Sequence, residues 1–100
     1  RIMLTAFGPR FVACEIADLY EKLGGGVTRI GKPYPAIFDA ALALAGEPDR
    51  HRVVCVGDSV EHDIAGGNGV GIATALVLGG ILAGAPDLAA VFGEHKAWPD

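Results

Sequence analysis

One hundred residues, 51% hydrophobic and 20% charged with 15 glycines, describe one globular domain rather than a multidomain chain or a disordered tail. A net charge of −4 and an isoelectric point near 5.2 leave no basic excess to release counterions, so neither nucleic acid nor an anionic membrane is an expected partner. A mean hydropathy of +0.39 is high for a domain that buries only about two thirds of its unfolded surface, so a homo-oligomer or a missing part of the protein is expected to cover it.

The chain opens on Arg1, without Met and without the basic, apolar and small-residue succession of a signal peptide, so residue 1 is not the expected native start. Val12, Ile16, Leu19, Tyr20 and Leu23 follow helical spacing and predict a helix over Pro9 to Leu23, which Gly24-Gly25-Gly26 stops. Val27 to Ile30, short and β-branched, predicts a strand. Pro33 and Pro35 then precede Ile37, Phe38, Ala41, Leu42 and Ala45, a second helix that Gly46 and Pro48 end.

Val53-Val54-Cys55-Val56 is an unbroken apolar run of the type buried on both faces of a parallel sheet, and it ends at Gly57-Asp58. A short helix from about Glu61 to Asn68, a buried strand from Ile72 to Leu78 and a last helix over Asp87 to Lys96 follow. The 23 residues from Ile64 to Pro86 carry no charge and match a bilayer in length, but seven glycines, Asn68 and Thr74 break them into helix, strand and loop. Cys14 and Cys55, 41 positions apart with no C-x-x-C pattern, read as reduced thiols of a cytoplasmic protein.

Strands alternating with helices predict an α/β fold with a Rossmann-like parallel sheet of about three strands, right-handed crossovers and flanking helices. So narrow a sheet has sticky edges and calls for a partner half.

Three pieces of chemistry fail on inspection. Gly26 to Lys32 matches G-x-x-x-x-G-K, but Pro33 stands where a phosphate loop needs a Ser or Thr hydroxyl and a free N–H. Gly57-Asp58-Ser59-Val60-Glu61 lacks the last glycine of a nucleophile elbow, and Gly67-Asn68-Gly69-Val70-Gly71 precedes a strand where a dinucleotide fingerprint follows one. His51, His62 and His95 have no zinc-ligand spacing and read most simply as solvent-facing.

Lys32, Asp58 and Asp63 survive. Ligands of open α/β sheets sit beyond the carboxyl ends of the strands. Lys32 follows the first expected strand, Asp58 the second, and Asp63 stands little more than one helical turn further on. A cation and hard oxygen ligands at one rim suit magnesium-assisted phosphoryl transfer, which is mainly positioning and charge neutralisation. On the competing reading each residue serves only its own neighbourhood. Asp58 then caps the next helix with Glu61 completing a capping box, Asp63 is a solvated helix carboxylate, and Lys32 is an ordinary loop lysine.

Gly31-Lys32-Pro33-Tyr34-Pro35-Ala36-Ile37-Phe38, with the later run from Val53 through Gly57-Asp58-Ser59-Val60-Glu61-His62-Asp63 to Gly67, closely resembles the third and fourth motifs of haloacid dehalogenase-like hydrolases. The likeness is greatest to the subfamily with a class IIA cap. Gly71 to Gly80 is similar to its next strand and turn, and Tyr20 to Gly25 to its last cap helix; the resemblance covers roughly Ile16 to Ile81.

The resemblance implies a magnesium-dependent phosphatase acting on a small phosphorylated metabolite through an aspartyl-phosphate intermediate. Lys32 matches the catalytic lysine that neutralises the nucleophile and phosphoryl group, Asp58 the magnesium-binding carboxylate, and Asp63 the acidic residue that supports the metal shell or the lysine. Residues 1–26 would be a remnant of the cap and residues 27–100 the carboxyl-terminal part of the core.

The departures are as informative. No two of the seven aspartates stand two positions apart, so the D-x-D nucleophile motif is absent, and Thr5 after Ile2-Met3-Leu4 is a lone candidate for the second motif. The chain therefore looks like the carboxyl-terminal half of such an enzyme. It is expected to be inactive alone; the alternative to the phosphatase function is a catalytically incomplete fragment or an α/β interaction module.

Overall fold

The computed structural model describes the backbone of residues 2–5 and 8–11 and residues 13–100 in full. β1 (Ile2–Thr5) and β2 (Gly8–Phe11) pair antiparallel, Ile2 opposite Phe11 and Thr5 opposite Gly8. The helix expected from Pro9 therefore starts later, as α1 (Ala13–Lys22), because residues 8–11 are held in the hairpin. The side chain of Thr5, the second-motif candidate, lies outside the described residues. α1 ends where the Gly25 N–H turns back to the Tyr20 carbonyl at 2.9 Å.

Residues 27–30 carry no regular secondary structure, which corrects the first expected strand. β-branched residues favour extended chain, but a strand needs a neighbour to take its backbone bonds, and among the described residues none pairs with this segment. α2 (Pro35–Leu44) starts with proline at its first turn, where the missing N–H costs nothing. Arg50 begins a 3-10 turn (Arg50–Arg52) and binds the Val70 carbonyl, tying that turn to the next helix.

β3 (Val54–Gly57) and β4 (Ala73–Leu76) form a two-stranded parallel sheet, Val54 opposite Ala73 and Gly57 opposite Leu76. The crossover between them is a π-helical turn (Val60–Ile64) followed by α3 (Ala65–Val70). The uncharged run that matched a bilayer in length is thus divided among turn, helix, strand and loop, and no helix among the described residues is long and apolar enough to cross a membrane. α4 (Leu88–His95) starts at Asp87, whose carboxylate accepts the Ala90 N–H at 3.1 Å. The α/β class and the parallel, helix-flanked sheet stand as expected, with two parallel strands among the described residues in place of three.

Side chains alternate across a strand, and here the two faces have different fates. On one face the core gathers at Val60, Ile64 and Ala97, with Leu76, Leu82 and Phe92 packed against it. The other face carries Val54 and Val56, exposed at 54% and 62%. The expectation that this run is buried on both faces holds for one only, since none of the described residues covers the second. α1 likewise buries no residue, leaving Ile16 and Leu23 at 73% and 77% exposure. A radius of gyration of 15.1 Å, against about 13 Å for a closed domain of this length, reflects the same openness.

Candidate active site

Three loops meet beyond the carboxyl ends of β3 and β4. The first is the turn Gly31-Lys32-Pro33-Tyr34, closed by the Tyr34 N–H on the Gly31 carbonyl at 2.9 Å and containing a cis Lys32–Pro33 bond. The second carries Asp58 and Ser59 from the end of β3 into the π-turn. The third follows β4 through Gly79 and Gly80 to Ile81. Together they border an open cleft of about 830 Å³ whose polar lining includes Arg29, Lys32, Asp58, Ser59, His62 and His95.

Lys32 and Asp63 are in direct contact. Lys32 Nζ donates to Asp63 Oδ1 at 2.5 Å, joining a half-exposed ammonium to a carboxylate whose side chain is 7% exposed. That hydrogen bond holds the Lys32 ammonium above the ordinary lysine value of 10.5, against the opposing effect of desolvation. Asp63 Oδ2 accepts the Ser59 N–H at 3.2 Å, so both its oxygens are engaged. Burial, and then the charge of Asp63, push the Cys55 thiol up; its Sγ lies 3.5 Å from the Asp63 carbonyl.

Asp58 does not cap the following turn. Ser59 is the N-cap, its hydroxyl accepting the His62 N–H at 3.2 Å, and Glu61 is exposed to solvent. Asp58 Oδ2 instead accepts the Ile81 N–H at 3.2 Å from across the cleft rim. Two glycines permit these approaches: a Cβ on Gly57 would overlap the Asp63 carboxyl, and one on Gly80 the Asp58 carboxyl.

A hard dication such as magnesium keeps several waters and takes one or two protein carboxylates together with phosphate oxygens. Asp58 fits one such position, since its Oδ2 makes a single long hydrogen bond and its Oδ1 has no partner among the described residues. Asp63 is committed to Lys32 and Ser59. No group of three or more acidic, His or Cys side chains converges among the described residues, so this chain offers one ligand of a magnesium site rather than a closed cage.

Four contributors escaped the sequence. His62, read as solvent-facing, is half-buried with Nδ1 2.8 Å from Ser59 Oγ. Ser59 lies in the fourth-motif stretch and Gly80 in the turn after the last strand, yet neither pattern gives Ser59 its capping role or Gly80 its close approach to Asp58. Arg29 binds Asp18 at 2.7 Å and Glu21 at 2.6 Å, pinning α1 three residues before Lys32. An arginine at that spacing from two acidic helix residues was the available signal.

A family model for HAD-hydrolase-like proteins matches residues 29–97, over two thirds of the chain. Among solved structures, p-nitrophenyl phosphatase from Archaeoglobus fulgidus is 32% identical with a TM-score of 0.85, covering 100% of this chain and 38% of that one. 4-Nitrophenylphosphatase from Thermotoga maritima is 30% identical with a TM-score of 0.66, over 77% of this chain and 30% of that one. Pyrimidine 5'-nucleotidase YjjG from Escherichia coli (strain K12) is 56% identical over 60 residues, 60% of this chain and 24% of that protein. The chain thus spans between about a quarter and two fifths of these relatives' lengths.

Proposed function

The chain belongs to the HAD-hydrolase-like family, and from that premise we propose that it is the carboxyl-terminal core portion of a magnesium-dependent phosphomonoester hydrolase with a class IIA cap. Residues 1–26 would belong to the cap and residues 27–100 to the core. The separate antiparallel hairpin of β1 and β2, apart from the parallel sheet, supports that division, as does the likeness to nitrophenyl phosphatases. The single observation that carries the reading is the Lys32–Asp63 pair beside Asp58 at the carboxyl rim of β3.

In this reading Lys32 presents positive charge to the incoming phosphoryl group, and Asp63, held by Ser59, fixes where that charge sits. Asp58 would hold magnesium, which when bound neutralises phosphate oxygens. The attacking carboxylate comes from outside this chain, whose seven aspartates include no D-x-D pair. The substrate class is a small phosphorylated metabolite, for which the nucleotidase relative makes a nucleoside monophosphate one probe. The two free cysteines suit a cytoplasmic setting.

The test is hydrolysis of an aryl phosphate and of pyrimidine nucleoside monophosphates by the chain extended upstream through its nearest D-x-D segment. Turnover that requires magnesium and is abolished by chelator supports the reading; turnover indifferent to chelator removes the metal from it. A second reading, a catalytically incomplete fragment or interaction module, is favoured by the open face at Val54 and Val56. Magnesium-dependent thermal stabilisation of the extended chain without any turnover would select it.

A further inference from the structure

Ser59 organises the entry to the π-turn with every polar atom it has. Its N–H donates to Asp63 Oδ2 at 3.2 Å, and its carbonyl accepts the N–H groups of Asp63 and Ile64 at 2.8 and 3.2 Å. Its hydroxyl accepts the His62 N–H at 3.2 Å and lies 2.8 Å from His62 Nδ1. In an ordinary capping box the side chain three residues on returns to the N-cap N–H. Here that N–H is taken by Asp63, four residues on, while the side chain three residues on, His62, returns to the hydroxyl.

The shift has a geometric cause. A π-turn spends more residues per revolution than an α-turn, so the position facing the N-cap moves one residue along the chain. In α geometry residue 62 would face the Ser59 N–H and Asp63 would be rotated off it, and away from Lys32. The turn width therefore decides whether Asp63 can bridge Ser59 and Lys32. A serine hydroxyl has three staggered rotamers, and the cap exists in one of them. The imidazole contact selects that rotamer. A neutral ring unprotonated at Nδ1 accepts a hydrogen bond from the Ser59 O–H, and a ring protonated there donates one to the oxygen, so the contact persists in either state.

We propose that His62 is a positioning residue: through Nδ1 it locks the Ser59 hydroxyl, holds the wide turn, and so places the Asp63 carboxylate that fixes Lys32. The role in catalysis rests on the phosphatase reading, whereas the role in geometry does not, and the experiment separates them.

The chain extended upstream through its nearest D-x-D segment is prepared as wild type, His62→Ala, His62→Asn and Ser59→Ala, with the double variant Ser59→Ala/His62→Ala. An asparagine amide occupies nearly the place of Nδ1, so it should preserve the contact that alanine removes. Two NMR readouts follow the geometry: hydrogen exchange of the Ser59 amide, and the Lys32 ammonium resonance, visible when the lysine is held in its ion pair. His62→Ala should speed Ser59 exchange about tenfold and lose the Lys32 signal, with His62→Asn within about twofold of wild type. The double variant should be no worse than Ser59→Ala alone, since loss of the hydroxyl already removes the contact that His62→Ala cuts. Unchanged exchange and Lys32 signal in His62→Ala, an Asn variant that behaves as Ala does, or additive effects in the double variant would each overturn the proposal. In the extended enzyme, kcat should fall in His62→Ala and recover in His62→Asn with KM unmoved. An extended chain with no turnover would count against the phosphatase reading and leave the exchange data to decide the role of His62.

Discussion

Lys32 and Asp63, 31 residues apart in sequence, meet at 2.5 Å because the turn that carries the lysine and the π-turn that carries the carboxylate share one rim of the sheet. The carboxylate is buried and the ammonium half-exposed, so the pair is unequal. Asp63 depends on Lys32 for compensation of its charge more than Lys32 depends on Asp63.

Removing the lysine should therefore cost stability. Lys32→Ala leaves a buried carboxylate with only the Ser59 N–H, and should lower the unfolding free energy by about 1–2 kcal/mol, the range for a charged group that loses one partner while water reaches it. Its pH signature has a definite sign. The folded pKa of Lys32 lies above the unfolded value, so its stabilisation is complete below pH 10.5 and is lost as pH rises through the raised folded value. Urea midpoints of wild type and Lys32→Ala should differ by a constant amount from about pH 7 to 10 and converge above that. A difference that shrinks at neutral pH would contradict the pairing.

Magnesium affinity should discriminate the two aspartates. Asp58 has an oxygen open to a cation, whereas both oxygens of Asp63 are engaged by Lys32 and Ser59. In the extended enzyme Asp58→Asn should raise the magnesium concentration for half-maximal activity by about tenfold or more, and Asp63→Asn by less. Lys32→Ala should depress kcat with a smaller effect on the metal. An Asp58→Asn enzyme with unaltered magnesium dependence would return Asp58 to a purely local role.

Gly80 should tolerate no side chain. A methyl there would occupy the place of the Asp58 carboxyl, which has to swing off the Ile81 N–H to admit it. Gly80→Ala should cost about 1–3 kcal/mol, as overpacking does, and weaken magnesium dependence together with Asp58→Asn rather than in addition to it. Thermal unfolding and magnesium titration of the single and double variants check both halves.

The chain by itself should self-associate and show no phosphatase turnover. Val54 and Val56 project from an uncovered sheet face, and α1 leaves Ile16 and Leu23 exposed as well. Light scattering should report species larger than a monomer at micromolar concentration, and a Val54→Lys/Val56→Lys pair should reduce them. A monomer that turns over an aryl phosphate would refute both statements.

The α/β class, the helices over 35–44 and 88–95, and the strands at 54–57 and 73–76 were legible because each follows from local pattern: helical spacing, proline at a helix start, short apolar runs ended by glycine. Asp58 was legible for the same reason, since a strand that ends at Gly57 places the next side chain at the rim. Tertiary structure alone decided the rest. Residues 27–30 have strand-forming side chains but no neighbour to pair with among the described residues, and a ladder is a property of two segments. Pro9 to Phe11 fit a helical rhythm yet joined a hairpin with residues 2–5. The choice of Ser59 over Asp58 as the cap, the contact of His62 with it, and the bridge from Asp63 to Lys32 all turn on the width of one helical turn. That width sets which side faces the cap, and residue spacing along the chain does not contain it.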